Sequence, residues 1–195
     1  MSKKFIILKD LCYDGYNGFA WHQHEQKGDS MSINSDRFKQ VMGNYPTGVT
    51  IVTTADEHGT PFGMTVNSFA SVSLEPTLIL WSIDKRANSY DVFTQTKRFA
   101  VHILASDQAD LAVRFATKGI DRFALSKWEW SAYRLPILSD VAGVLQCQTY
   151  QTIEAGDHMI LIGEVIAIED YGKKPLLYHK RTFGEIHPSF YANNK

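Results

Sequence analysis

Closely spaced apolar runs dominate the pattern of hydrophobic and polar positions, and most of these runs have the length of strands. They predict strands at about 48–55, 62–68, 77–84 and 98–104, and the turn at 55–61 joins the first two strands into a hairpin. Two longer strands are predicted at about 142–153 and 158–169, and a short last strand at 174–179. The chain is therefore rich in strands that follow one another through short connections.

Helical spacing of apolar residues occurs in two segments. The first begins with Ser35 or Asp36 as its cap and ends at Gly43. Phe38, Val41 and Met42 are predicted to lie on one face of this helix. The second begins with Ser106 as its cap and runs to Ala116. Its predicted inward face consists of Leu111, Ala112 and Phe115.

Strand spacing limits the class of fold. Helices are too few, and strands too close together, for repeated β-α-β units around a parallel sheet. Antiparallel strands that close on themselves, with helices packed outside, account for the spacing. We therefore predict a mainly β fold with flanking helices.

Composition and charge narrow the class of protein. The 195 residues are 44% hydrophobic, which suits one domain with a sizeable core. Twenty basic and 21 acidic residues give a net charge of −1 without a basic patch, so neither nucleic acid nor a membrane is an expected partner. No apolar run approaches the roughly 18 residues of a membrane span, and no segment resembles a signal peptide. The two cysteines, Cys12 and Cys147, are expected to be buried reduced thiols, which predicts a cytoplasmic protein.

The first 30 residues differ in composition from the rest. One short apolar run is followed there by Gly-, Asn- and Gln-rich sequence, which ends just before a second methionine, Met31. We therefore expect residues 1–30 to be an N-terminal extension and residues 31–195 to form the domain. Two histidines in HQHE, residues 22–25, do not by themselves predict a metal site, and no metal is expected.

Three common site motifs are absent from the sequence, and one unusual segment remains. The chain has no G-x-G-x-x-G, no G-x-x-x-x-G-K-[ST] and no G-x-S-x-G. The segment GMTVNSFASVSLEP, residues 63–76, instead places uncharged hydrogen-bonding side chains between two apolar strands. These side chains are Thr65, Asn67, Ser68, Ser71 and Ser73. The segment SIDKRANSY, residues 82–90, adds hydroxyls and the cations Lys85 and Arg86.

These two segments supply the groups that a flavin requires. A flavin ring needs an apolar bed with amide or backbone donors, and its phosphate needs hydroxyls with one or two cations. The same residue types are also common turn formers, so the cluster alone leaves both interpretations open.

Four segments in order resemble a known family. They are FKQVMGNYPTGVTIVTT (38–54), GMTVNSFASVSLEPTLILWSIDKRANSYDVF (63–93), FAVHILASDQADLAVRFA (99–116) and AGDHMILIGEV (155–165). From about Phe38 to Ile186, the chain is similar to the flavin reductase-like domain family, small FMN-binding split-barrel proteins that serve as reductase components of two-component monooxygenases. The resemblance implies a six-stranded antiparallel split β-barrel and a homodimer with flavin near the interface. It also implies hydride transfer from NAD(P)H to FMN or FAD, and a monooxygenase component as partner.

The same resemblance assigns roles to individual residues. The flavin ring would lie between two segments, Thr65, Val66, Asn67 and Ser68 on one side and Pro46, Thr47, Gly48 and Val49 on the other. The ribityl-phosphate arm would run toward Ser71 and Val72, and its phosphate end toward Ser82, Ile83, Asp84, Lys85 and Ser89. Backbone contacts would come from Ala100 and Val101. Uncharged donors suit a ring whose charge changes with its redox state, because a fixed full charge would favour one state.

The turn of the last long hairpin carries the expected nicotinamide site. Gly156, Asp157 and His158 form it, and His158 matches the histidine that the family places beside the nicotinamide. A histidine that merely bonds to its own turn is the alternative. Hydride transfer requires positioning of the two rings and neither a general base nor a covalent nucleophile.

Two departures from the family pattern affect local contacts. Relatives usually carry Asn where His102 stands, and many have a hydroxyl where Ala87 stands. A local hydrogen bond and the details of phosphate binding are therefore expected to differ.

Two other functions remain open. The same barrel occurs in FMN-binding electron carriers and sensors that lack NAD(P)H-dependent reductase activity, and fold alone does not separate them from reductases. The histidine of GDH favours a reductase. The other alternative is a structural or partner-binding barrel without flavin, against which the uncharged donors of TVNSF argue.

Overall fold

The computed structural model of the protein describes residues 33–192. Within this range, three helices are α1 (Ser35–Gly43), α2 (Tyr90–Gln95) and α3 (Ala109–Ala116), and a 3-10 turn spans Pro188–Phe190. The strands are β1 (Thr47–Gly48), β2 (Thr50–Ala55), β3 (Pro61–Val66), β4 (Ala70–Leu74), β5 (Thr77–Asp84), β6 (Arg98–Ile103), β7 (Trp128–Trp130), β8 (Pro136–Leu138), β9 (Gly143–Ala155), β10 (His158–Asp170), β11 (Leu176–His179) and β12 (Thr182–Glu185). The predicted N-terminal extension, residues 1–30, and its HQHE segment lie outside the described residues.

Seven strands form one antiparallel sheet in the order β3-β2-β6-β9-β10-β5-β4. Its two end strands, β3 and β4, are consecutive in the chain and joined only by residues 67–69. Such a link spans at most about 14 Å, so the sheet must curl until its ends approach each other. The result is a barrel that is split between β3 and β4. Six strands were expected, and β4 is the short edge strand that the prediction lacked.

Neighbouring residues of β2 point to opposite faces of this sheet and enter two different cores. Val52 packs inside the barrel with Trp81, Phe99 and Leu161. Ile51 packs outside the barrel, in a second core. The other buried members of that core include Leu104, Phe115, Leu138 and Leu176. The two-residue period of a strand thus allows one sheet to support both the barrel interior and the layer that covers it.

Helix α1 forms where expected, but its predicted cap is wrong. Its N-cap is Asn34, whose Oδ1 accepts hydrogen bonds from the backbone N–H of Asp36 (2.9 Å) and of Arg37 (3.0 Å). None of the residues of the helix is buried. The exposed apolar side chains of the helix are Phe38, Val41 and Met42.

Helix α3 covers the outer core as expected. Ala112 and Phe115 are buried, and Leu111 is partly buried. The predicted cap at Ser106 is wrong, because the helix begins at Ala109 and the preceding residue is Gln108. The side chain of Gln108 instead ties the loop together, accepting from Ala105 N–H (3.0 Å) and donating to Ser139 C=O (3.1 Å).

His102 braces β2 against β8 on the outside of the barrel. Its ring is fully buried, with Nδ1 3.0 Å from the carbonyl oxygen of Ile51 and Nε2 3.1 Å from the backbone nitrogen of Leu138. Because Nε2 must accept from Leu138 N–H, Nδ1 carries the proton and donates to Ile51. Burial lowers the pKa of His102 to about 4, so the ring is neutral at pH 7.

Candidate functional site

A cleft of about 930 Å³ runs along β3 and past the ends of β5 and β10. Asp84 at the end of β5 pairs with His158 at the start of β10, which brings both strand ends to the same place. The predicted site residues that line the cleft are Thr65, Val66, Asn67, Ser68, Ser82, Asp84, Ser89, Asp157 and His158. A second, open groove of about 1040 Å³ near Arg98 and Trp130 contains none of the predicted residues. The first cleft is therefore the candidate site.

The end of β3 forms one side of the cleft and also bridges the split in the barrel. The hydroxyl of Ser68 accepts from Ser82 N–H (3.0 Å) and lies 3.2 Å from Ser82 C=O. In the β4-β5 ladder Ala70 pairs with Leu80, so Ser68 stands where the next hydrogen-bonded partner of Ser82 would be. The Ser68 side chain thus makes the hydrogen bonds to Ser82 that a backbone partner would make across the split between β3 and β4.

Two other side chains of this stretch differ in what they can offer a ligand. The Thr65 hydroxyl is already committed, because it donates to Ala112 C=O at 2.6 Å. Asn67 is half-buried in the cleft, and its amide has no hydrogen-bond partner among residues 33–192. Asn67 therefore presents two donors and an acceptor without charge to a ligand.

The charged residues at the end of β5 and just after it are already paired with other residues of the protein. Arg86 donates to both oxygens of Asp84, through Nη2 at 2.6 Å and Nε at 3.0 Å. The hydrogen bond from Arg86 holds the pKa of Asp84 at about 2, so this carboxylate is ionised at neutral pH. Lys85, the cation expected at the flavin phosphate, lies outside the cleft lining and pairs with Glu154 on β9.

His158 lies at the mouth of the cleft, in the turn that joins β9 and β10. Gly156 takes φ = +62° there, a conformation that glycine adopts without strain. The Nδ1 atom of His158 lies 2.7 Å from Asp157 Oδ1, and the His158 side chain is 42% exposed. This hydrogen bond with His158 lowers the pKa of Asp157. The ring is thus oriented by its own turn and still presents Nε2 to a ligand.

Besides the end of β3, the end of β5 and the β9-β10 turn, the cleft has a fourth side. It is formed by residues 115–123, which were not predicted as part of the site. Gly63 of β3 allows it to approach, because a Cβ atom there would lie 2.6 Å from Phe115 Cε1 and 3.2 Å from Phe123 Cζ. Arg122 fastens this segment to β3, donating to Gly63 C=O at 2.6 Å. Arg122 and Gly63 are 59 residues apart in the chain, so no local sequence pattern indicates this contact.

The remaining predicted residues lie outside the cleft lining. The Pro46–Val49 segment contributes β1, in which Thr47 pairs with Tyr178 of β11, and Val49 is buried in the outer core. Ser71 and Val72 are exposed on the edge strand β4. Ala100 and Val101 are fully buried in β6, and Ile83 is fully buried in β5. The turn residue Gly156 and Lys85 also stand outside the lining.

Comparison with known proteins identifies the family. The family model described as "Flavin reductase like domain" matches residues 42–187, about three quarters of the chain. The chain belongs to the flavin reductase-like domain family. Its mainly β fold is that of flavin reductase split barrels.

Relatives in the flavin reductase-like domain family include proteins of named activity. The reductase component of a flavin-dependent trigonelline monooxygenase from Acinetobacter baylyi is 43% identical over 78% of this chain and 49% of its own length. The chain thus spans about half the length of this relative. FMN reductase (NADH) SmoA of Agrobacterium fabrum is 38% identical over 78% of this chain and 87% of its own length.

Solved structures of the family share the fold. The NADH:FAD oxidoreductase SgcE6 of Streptomyces globisporus, in complex with NAD and FAD fragments, superposes with a TM-score of 0.75 at 33% identity. The match covers 82% of this chain and 98% of SgcE6. Within residues 33–192, no helix is both long enough and apolar enough to span a membrane.

Proposed function

We propose that this protein is an NAD(P)H-dependent flavin reductase that binds FMN (or FAD) in the cleft along β3. The observation that carries the proposal is the amide of Asn67, which lines the cleft and has no hydrogen-bond partner among residues 33–192. This half-buried amide offers donors and an acceptor without charge, and the edge of a flavin ring has complementary hydrogen-bonding groups. When bound, the flavin would accept a hydride from the reduced nicotinamide.

The protein's own contribution to this reaction is positioning. Asn67 and Ser68 would orient the ring, and Ser82 and Ser89 would face the phosphate arm. His158 would hold the nicotinamide carboxamide through Nε2 while Asp157 fixes the imidazole from the other side. Orienting two rings for transfer is worth several kcal/mol of barrier, about 7–11 in favourable cases. No proton transfer from a side chain is assigned.

Some of the predicted residues outside the cleft lining have a proposed role in a dimer. We propose a homodimer in which Pro46, Thr47, Gly48, Ser71 and Val72 complete the flavin site, whereas Val49, Ala100 and Val101 are buried within one chain and would not contact the flavin directly. Two observations support this proposal. The Oγ1 atom of Thr47 is buried without a partner in the described part of the chain, and α1, whose Lys39 lines the cleft, has an exposed apolar face.

The proposed physiological role is supply of reduced flavin to a partner monooxygenase in the cytoplasm. The Acinetobacter relative is named as the reductase component of a monooxygenase, which supports a monooxygenase as the partner. The free, buried thiol of Cys147, whose pKa burial raises to about 12, agrees with a reducing compartment.

An NAD(P)H oxidation assay tests the proposed function. NADH or NADPH is mixed with the protein and FMN, FAD or riboflavin, and consumption of the reduced nicotinamide is followed by absorbance. The expected result is turnover that depends on both the protein and the flavin. Flavin binding without oxidation of either dinucleotide would indicate an electron carrier or sensor, and absence of flavin binding would indicate a barrel with a different function.

A further inference from the structure

Arg122 lines the cleft and has no carboxylate partner among residues 33–192, unlike Lys39 and Arg86. Lys39 pairs with Asp36 at 3.2 Å, and Arg86 is held by Asp84 at 2.6 Å. Arg122 is partly buried and contacts only backbone carbonyl groups among residues 33–192. A charge that is withdrawn from water without a counter-charge is unfavourable, so such a site favours an anion.

The hydrogen bonds of Arg122 leave donors available. Nε and Nη2 donate to Thr117 C=O at 3.1 and 3.0 Å, and Nη1 donates to Gly63 C=O at 2.6 Å. A guanidinium has five N–H groups, so two remain. The two carbonyls fix the orientation of the guanidinium plane, and fixed paired donors suit phosphate oxygens.

Arg122 and Ser89 both line the cleft and contact consecutive residues of β3. Arg122 binds Gly63, and the next residue, Met64, has its Sδ atom 3.9 Å from the hydroxyl of Ser89. Ser89 is one of the residues expected near the phosphate. Arg122 and Ser89 therefore approach the same stretch of β3, whereas Lys85 is engaged with Glu154 elsewhere.

We propose that Arg122 is the cation that binds the phosphate of the flavin, in place of Lys85. The inference rests on the proposed function, because it presupposes that the cleft binds a flavin. It assigns to the segment after α3 a role in distinguishing phosphorylated flavins from riboflavin. The anion supplies the counter-charge that the protein does not.

Binding of FMN and of riboflavin to the parent protein and to Arg122→Gln tests the inference. Riboflavin has the same ring as FMN but no phosphate, so the ratio of the two dissociation constants isolates the phosphate contact. The parent is expected to favour FMN, and Arg122→Gln to reduce that preference by about ten- to a hundred-fold, with little change for riboflavin. Riboflavin binding thus also reports that the variant remains folded.

Two further variants sharpen the test. Arg114→Gln removes another arginine that donates to a carbonyl group, Leu125 C=O at 2.5 Å, but lies outside the cleft lining, and it should keep the parent's preference. Arg122→Lys retains a cation but not the paired donors, so it should show an intermediate preference. It replaces Arg122→Gln if the latter does not fold.

The outcomes separate the inference from the proposed function. An unchanged FMN preference in the Arg122 variants overturns the inference, as does an equal loss of affinity for both flavins, which indicates a purely structural arginine. A rise in KM for NADH with unchanged FMN affinity assigns Arg122 to the dinucleotide instead and also overturns it. A parent protein that binds neither flavin overturns the proposed function itself.

Discussion

Among the side chains that line the cleft, His158 is the one that we propose contacts the nicotinamide rather than the flavin. Its Nδ1 atom is engaged by Asp157, so only Nε2 can reach a ligand. The sequence left two interpretations of this histidine, a contact within its own turn and a contact with a ligand. One ring can make both contacts, the first through Nδ1 and the second through Nε2. Kinetics, not geometry, separates them.

We expect His158→Ala to lower kcat/KM for NAD(P)H by about ten- to a hundred-fold, because one oriented contact of about 1.4–2.8 kcal/mol is lost. Most of the change should appear in KM, and the dissociation constant for FMN should stay near that of the parent. His58→Ala, in the β2-β3 hairpin turn and outside the cleft lining, is the matched control. Parent kinetics in His158→Ala would make His158 a structural turn residue.

His102 explains the departure of this chain from the family's usual asparagine. The imidazole is long enough to reach Ile51 with one nitrogen and Leu138 with the other, across the layer between β2 and β8. Its role is therefore structural. The pKa of His102, about 4, lies below the ordinary value of 6.5, which links this residue to pH-dependent stability.

We expect His102 to make the protein less stable as pH falls from 6.5 to 4. Above pH 6.5 the ring is neutral in both states, and its full contribution to stability is present. Below pH 6.5 the unfolded chain binds a proton that the folded protein rejects until about pH 4, so up to about 3 kcal/mol is lost. Urea unfolding across this range measures the loss, and His102→Gln should be less stable at pH 7 but lose less on acidification. An identical pH dependence in His102→Gln and in the exposed-site control His179→Gln would refute this role.

At the scale of elements, the contact between β3 and the segment 115–123 holds the cleft in shape. β3 is an end strand of the sheet. Phe115 and Phe123 pack edge to face with their ring centroids 5.1 Å apart, next to Gly63 of this strand. Gly63 permits this approach because it has no Cβ. The fourth side of the cleft therefore depends on one glycine.

We expect Gly63→Ala to destabilise the protein by about 1–3 kcal/mol, because the new methyl group overlaps the fully buried ring of Phe115. Flavin affinity should fall as well, since displacement of residues 115–123 moves Arg122. Gly184→Ala is the control, because a Cβ in β12 meets nothing within 4 Å. Thermal unfolding and flavin titration measure the two effects, and parent-like stability would show that Phe115 can move aside without cost.

The sequence predicted most strands because apolar runs of strand length leave a local signal. β2, β3, β5, β6, β9 and β10 lie close to their predicted positions. β4 was missed because it has only five residues, four of them exposed, and α2 because its six residues fit less than two turns of apolar spacing. Arg122 was missed for a different reason. Its role comes from a carbonyl group 59 residues earlier, and no local pattern encodes such a contact.

At the scale of the whole molecule, helix α1 has an apolar face of which about half is exposed in the described chain. Phe38, Val41 and Met42 are 52%, 62% and 47% exposed, and the adjacent Ile33 and Tyr45 are also exposed. Contiguous exposed apolar side chains of this kind mark protein interfaces. The amphipathic pattern predicted one apolar face for this helix, and the structure leaves that face largely exposed. A second copy of the chain is the partner we propose.

We expect the parent protein to be a dimer by sedimentation or light scattering, and Val41→Glu to shift it toward monomer, because a carboxylate would then face the apolar surface of the second copy. Gln40→Glu adds the same charge on the opposite face of the same helix, so it should remain dimeric. Because Lys39 lines the cleft, the monomeric variant should also bind FMN more weakly. A Val41→Glu protein that stays dimeric with parent FMN affinity would show that the second copy docks elsewhere, and a monomeric parent would show that α1 is covered by something other than a second copy.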